Sequence, residues 1–520
     1  MNKLKRYLTL FSITLFILIP VLFSACSMGG DDSGKKETPT ASANVVFPSK
    51  ADPDGGKITE KAELYTSSFE NACKYNEILA ISSLCMTVAG EDKKTLSEFF
   101  TDFGFDKIEA YNGASDDYDK KDNPDSISYG LAHITDPSDN NEVIAVAIRG
   151  VSYSAEWKSN FDIGTEGDHN GFAKAAQIVY TGLKSYIDRN FPEAYANKKL
   201  KLWITGYSRS AAVSDVLSYY ILTGDTNYPK LDIDETKVFT YTFATPRALT
   251  AEHAKPYQNV FNHISNADIV TYVAPEQYGL YRCGQDKILF KSDKSQYTEH
   301  KDAQTVYSNY TKYKIWYTSL VDSWLKSFSS EIDLPNFCTY NCNIYNDGRA
   351  PEADFPGNKY TTEKECIEFF MKMILDATGS DKTGAKFKTR EEFVSTAQAT
   401  VQYLITFYMN NSTNFSNVIS KLKGDVFNLM ANLSDKDSFC TYAIGLLKGC
   451  GITIDDETTL KTHLGVLYQS VNPMNTSSSL YTLVVQYVIP MMLGGNTDLP
   501  RIIKMHYPEV TLITLIKTFE

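Results

Sequence analysis

Gly206-Tyr207-Ser208-Arg209-Ser210 sets a serine between a strand-like run, "LKLWIT" (Leu200–Thr205), and a helix-like one, "SAAVSDVLSYYIL" (Ser210–Leu222). In a G-x-S-x-G elbow the serine occupies a strained strand-to-helix turn that exposes its hydroxyl, and small neighbours let the chain close there. Here Ser210 stands in place of the second glycine, and Ala211 and Ala212 continue the small face. The chemistry on offer is acyl transfer. A serine that attacks an ester needs a general base, an acid to orient that base, and backbone N–H donors for the oxyanion. Five residues are a weak signal, and the flanking strand and helix strengthen it. Metal chemistry has no comparable pattern: the "CTYNC" run at Cys338–Cys342 lacks a second pair to complete a tetrahedral site.

The elements that must position such a serine are legible on both sides of it. "DSISYGLAHI" (Asp125–Ile134) and "NEVIAVAIRG" (Asn141–Gly150) read as neighbouring strands around the turn "DPSDNN". "HNGFAKAAQIVYTGLKSYIDRNF" (His169–Phe191) reads as a long amphipathic helix, and "KVFTYTFATPRAL" (Lys237–Leu249) and "YQNVFNHISNADIVTYVAP" (Tyr257–Pro275) supply two more strands with their connections. Upstream, Asn76–Gly90 carries apolar residues at helical spacing, and Thr95 with Glu98 suggests a capping box for a second helix. Strands alternating with helices predict a mostly parallel sheet covered on both faces. After about Ser292 the apolar spacing turns to three-to-four, which predicts about two hundred residues of helices with no internal repeat.

Taken in order, "VIAVAIRG", "EWKSNFDIG", "HNGFAKAA", "LWITGYSRSAAVS", "FTYTFATPRA" and "NADIVTYVAP" resemble the segments of the class 3 (fungal-type) lipase family, over about Asn76 to Gly284. The resemblance implies an α/β-hydrolase fold, an esterase or lipase activity, and site residues in the order Ser, Asp, His. It places the nucleophile at Ser208 and the acid at Asp268. It also implies that the backbone N–H groups of Arg209 and Val151 form the oxyanion hole. The family usually has Thr or Ser where Val151 stands, so no hydroxyl there helps to hold the loop. Arg149, Trp157 and His169 match family positions and read as structural.

Three histidines follow Asp268 and compete for the role of base: His300 in a polar loop, His463 in a helical run, and His506. His506 precedes Tyr507, Pro508 and an apolar stretch, and so resembles the family's late histidine before a final helix. With His506 as base, the helical region becomes a large insertion between acid and base that roofs the site as a lid or cap.

The bulk numbers bound the rest. A chain of 520 residues with a net charge of -12 does not suit a nucleic-acid partner. "MNKLKR" followed by "YLTLFSITLFILIPVLF" and "SAC" reads as an export signal ending before Cys26, with Phe23 where a lipoprotein signal usually has Leu. Small residues followed by Cys resemble a bacterial lipoprotein, so Cys26 is the expected lipidation site and the protein an exported one anchored to the cell envelope. The resulting divisions are a signal at 1–25, a flexible tether at 26–58, a hydrolase core at 59–292, a helical insertion or cap at 293–495, and a C-terminal segment with the base at 496–520. The expected function is cleavage of carboxylic esters, of lipid or other origin, through an acyl-enzyme on Ser208 without metal or organic cofactor. The alternative from another class is a non-catalytic surface binding protein on a degraded hydrolase scaffold, to which Ser210, Val151 and the size of the insertion lend weight. Oligomeric state and disulfide pairing are not legible.

Overall fold

A computed structural model describes residues 38–48, 57–289 with short breaks, most of 390–411, scattered positions up to 432, 435–471 and parts of 506–515. The signal segment, Cys26, Val151, Trp157, His300 and most of 293–495 lie outside the described residues.

Seven strands form the central sheet: β3 (Asp106–Asn112), β4 (Ser128–Thr135), β5 (Glu142–Ile148), β6 (Leu200–Tyr207), β7 (Val238–Phe243), β8 (Val260–Ser265) and β9 (Gln285–Leu289). They lie side by side in chain order. β3, β4 and β5 pair antiparallel, and every pairing from β5 to β9 is parallel. The mostly parallel sheet is the one the alternation of strands and helices predicts. β6 is buried along its whole length, as a strand covered on both faces must be. Its alternate residues serve opposite faces. Leu202 and Ile204 enter a core shared with α3 (Asn170–Asn190) and α4 (Arg209–Leu222). On the other face, Trp203 donates its indole N–H to Ser83 Oγ at 2.8 Å, within α1 (Glu77–Ala89). Its ring packs edge-on to Phe69.

Two expectations need correction. Regular structure is found inside the segment read as a tether: β1 (Ala41–Pro48) pairs antiparallel with β2 (Lys57–Leu64) as a separate two-stranded sheet. Ala43, Val45 and Phe47 are buried on one side of β1, alternating with Ser42, Asn44 and Val46, and the exposed Val46 obscures the period of two. Helix α2 (Lys93–Asp102) is capped by Asp92, not Thr95: Asp92 accepts the Thr95 N–H at 2.9 Å and the Thr95 hydroxyl at 2.6 Å. Asp92 satisfies an orphan N–H of the first turn better placed than Thr95 itself. Asn76 caps α1 in the same way, accepting from Leu79 N–H at 3.0 Å.

Beyond the sheet, the described stretches form α5 (Arg390–Thr396), α6 (Gln398–Asn410), α7 (Lys436–Gly449) and α8 (Glu457–Val471). Phe439, Ile444 and Leu447 of α7 pack on Leu460, Leu464 and Tyr468 of α8 as an apolar cluster of their own.

Candidate active site

The site is built outward from the end of β6. Gly206 must be glycine, because a Cβ there would lie 2.3 Å from the Ser210 carbonyl oxygen. Ser208 follows in a left-handed conformation, φ 58° and ψ −123°, which a non-glycine residue keeps only where its surroundings enforce it. Two sets of bonds do so. Ser208 N–H donates to Phe243 O of the adjacent strand at 2.9 Å. Ser210 Oγ accepts Tyr207 N–H at 2.8 Å and donates to Tyr207 O at 2.9 Å. The serine at the fifth elbow position is therefore a brace across the turn, where glycine has no side chain to make one.

Asp268 sits in the connection after β8 and is 1% exposed. Its Oδ1 accepts Val270 N–H at 2.9 Å, and its Oδ2 lies 2.8 Å from His506 Nδ1. His506 Nε2 in turn lies 2.8 Å from Ser208 Oγ. A carboxylate only accepts, so Nδ1 carries the proton and Nε2 is left to accept the Ser208 hydroxyl. Three residues that span 298 positions of sequence thus form one continuous hydrogen-bonded line.

Of the competing histidines, His300 lies outside the described residues. His463 lies on α8, where its Nδ1 pairs with Thr400 Oγ1 at 3.0 Å and its ring stacks on Tyr403. His169 caps α3: its Nδ1 accepts Phe172 N–H and its Nε2 donates to Asn160 O at 3.1 Å. Burial pushes its pKa down to about 3, which keeps it neutral in both roles. Arg149 is buried and donates to Tyr118 O at 2.8 Å, tying the end of β5 to the segment around Tyr118. Among the described residues no group of three or more His, Cys, Asp or Glu side chains is arranged to hold a metal ion.

Arg209 opens α4, so its backbone N–H stands in the first turn, where the helix dipole favours an anion. Val151 lies outside the described residues. Sequence reasoning used only the backbone of Arg209 and missed its side chain. The buried guanidinium donates to Ser126 O at 3.2 Å and Ser159 Oγ at 3.0 Å, and its Nη1 lies 3.5 Å from Glu156 Oε1. Glu156 and Ser159 belong to the segment between β5 and α3, just beyond Val151, so the elbow grips that segment directly. The far end of the same segment is held from the helical region. Arg390 donates from Nε to Gly164 O at 2.6 Å, from Nη1 to Gly167 O at 2.7 Å, and from Nη2 to Ile163 O. Gln398 Oε1 accepts Ile163 N–H at 3.1 Å beside it. The sequence offered only the residue types, a charged side chain next to the elbow and an arginine at the start of a helical stretch.

Residues 145–278, about a quarter of the chain, match the family model of the class 3 lipases. The matched stretch holds Ser208 and Asp268, whereas His506 falls outside it. No curated relative matches the chain. Among solved structures it is similar to a fungal lipase in an inhibitor complex, at 18% identity over 42% of this chain and 78% of that one, with a TM-score of 0.30. It is also similar to Rhizomucor miehei lipase in its propeptide complex (16% identity, 48% and 82% covered, TM-score 0.28). Lipase II from Rhizopus niveus gives 14% identity, 41% and 77% covered, and a TM-score of 0.28.

Proposed function

We propose, for a chain that is an α/β-hydrolase and a carboxylic ester hydrolase, that the reaction runs through an acyl-enzyme on Ser208. Ser208 Oγ attacks the ester carbonyl while His506 Nε2 takes its proton, and Asp268 holds the imidazole tautomer and stabilises the imidazolium. The Arg209 N–H and the first turn of α4 receive the developing oxyanion, with the Val151 N–H as the second donor. His506 then returns the proton to the leaving alcohol. Water, deprotonated by the same Nε2, releases the acid and restores the serine. Each step moves a proton between groups of this chain, substrate and water, so no metal or organic cofactor enters it.

The observation that carries this reading is the pair of 2.8 Å contacts on the two nitrogens of His506. The ester is of lipid or related origin. The helical region at 293–495 acts as a cap over the acyl chain, and Cys26, lipid-modified after export, tethers the enzyme to a bacterial cell envelope. The test of the chemistry is labelling with a fluorophosphonate and turnover of a p-nitrophenyl ester. Wild type is labelled and active, and Ser208→Ala loses both. A non-catalytic scaffold predicts a wild-type protein that takes up no label.

A further inference from the structure

His506 lies 298 residues from the serine it contacts, so something other than chain proximity holds its backbone in place. Tyr207, the last residue of β6 and the neighbour of Ser208, makes that connection. Its side chain is buried. Its hydroxyl lies 2.9 Å from the carbonyl oxygen of His506 and 2.9 Å from Thr511 Oγ1. A carbonyl cannot donate, so the single phenolic proton goes to His506 O, and the Thr511 hydroxyl donates to the phenolic oxygen. Thr511 itself is fixed in the first turn of the helix that begins at Pro508, its N–H donating to Tyr507 O at 3.1 Å. The line Thr511 O–H, Tyr207 O–H, His506 C=O therefore grips the C-terminal segment at two points five residues apart. One of those points is the backbone of the residue whose ring bridges Ser208 and Asp268. The ring of Tyr207 also packs on that imidazole, with centroids 5.5 Å apart. Burial holds the phenol well above its ordinary pKa, so the donor persists through neutral and alkaline pH.

We infer that Tyr207 is a positioning residue: it docks the base-bearing C-terminal segment onto the strand that carries the nucleophile, so one element aligns both partners of the proton transfer. This rests on the reading of Ser208, His506 and Asp268 as the reacting line. Displacing a reacting group by about 1 Å can cost on the order of a hundredfold in rate, and the loss of this bond releases the His506 backbone by that kind of distance.

Tyr207→Phe removes one oxygen and keeps the ring. The expected result is a fall in kcat of about 10- to 100-fold on a p-nitrophenyl ester, with KM little changed. The downfield proton resonance of His506 Nδ1–H, bonded to Asp268, should also shift or broaden. Thr511→Val should move both readouts the same way by less, and the double variant should lose no more than Tyr207→Phe alone, because the two hydroxyls act in series. If Tyr207→Phe fails to fold, Thr511→Val carries the test by itself. Unchanged kcat and an unchanged downfield proton in a folded variant would make Tyr207 a packing residue and overturn the inference. A wild-type protein that takes no fluorophosphonate label overturns the functional reading instead, and the two failures are told apart in one set of samples.

Discussion

Arg209 Nη1 lies 3.5 Å from Glu156 Oε1, and both side chains are fully buried. One belongs to the residue after Ser208, the other to the segment that follows the expected oxyanion loop. At 3.5 Å the pair is longer than a charge-assisted hydrogen bond, and the guanidinium spends its good geometry on Ser126 O and Ser159 Oγ. The carboxylate's contribution is then chiefly to neutralise a charge that has no water around it.

Glu156→Ala should therefore be costly through what it leaves behind. Removing one member of a buried ion pair destabilises by about 3–5 kcal/mol, read as a lowered midpoint in urea and a lowered Tm. The double change Glu156→Leu with Arg209→Met, which removes both charges and keeps volume, should recover most of that stability. A single-variant loss under about 1 kcal/mol, the range of exposed pairs, would mean the pair does not hold this segment.

The Arg390 grip predicts a more local loss. Its planar guanidinium reaches the carbonyls of Ile163, Gly164 and Gly167 together, which the single ammonium of lysine cannot reproduce. Arg390→Lys should act on the attachment of this region and leave the cooperative unfolding of the sheet in place. It should also raise the rate of native-state proteolysis within 390–471 by about tenfold, as a local opening stabilised by roughly 1.4 kcal/mol less would. Equal proteolysis of the two proteins would assign the attachment of this region to other contacts.

These contacts also show what the sequence could and could not convey. β5 and β6 were legible because parallel strands covered on both faces leave apolar runs, Val143–Ile148 and Leu202–Ile204. Ser208 and Asp268 were legible as candidates because short motifs next to those strands single them out. The candidacy of His506 came from the proline two residues later. β1 was missed because its buried residues, Ala43, Val45 and Phe47, include a small alanine and the exposed Val46 breaks the apolar–polar alternation. Tyr207, Glu156 and Arg390 were not legible as site-building residues. Their partners lie 299, 53 and about 226 positions away, and no period or spacing encodes such a meeting.

The order of effects at the site itself follows from the tautomer. Asp268→Asn keeps its oxygen on Val270 N–H and so turns its NH2 group to Nδ1, which favours the wrong tautomer of His506, and the expected loss in kcat is about 10³- to 10⁴-fold. His506→Ala should lose at least as much, and combining it with Ser208→Ala should add little, since residues that act as a unit are not additive. His463→Ala, whose imidazole pairs with Thr400, should stay within about twofold of wild type by the same reasoning. Steady-state kinetics with one ester across the set checks the ranking; a large loss in His463→Ala with full activity in His506→Ala would reassign the base.

Asp215 gives a pH-dependent test that does not touch the reaction. It is fully buried in α4, its Oδ2 accepts Cys283 N–H at 3.3 Å, and its Oδ1 has no hydrogen-bond partner among the described residues. Burial pushes the carboxyl well above the usual range, and the nearby Arg282 only partly opposes it. In the unfolded chain the same carboxyl ionises near its ordinary value. Between those two values the folded state binds more protons than the unfolded one, so this group's contribution to stability is fully present at low pH and is lost as pH rises. Asp215→Asn keeps the shape and removes the titration. Its stability relative to wild type should therefore climb from pH 4 to pH 8, with a gain of about 1–3 kcal/mol at the upper end, the cost typical of a buried group without its partner. Chemical denaturation of both proteins at several pH values measures the difference, and a gap that stays flat or narrows with rising pH would show that Asp215 is ionised in the folded protein.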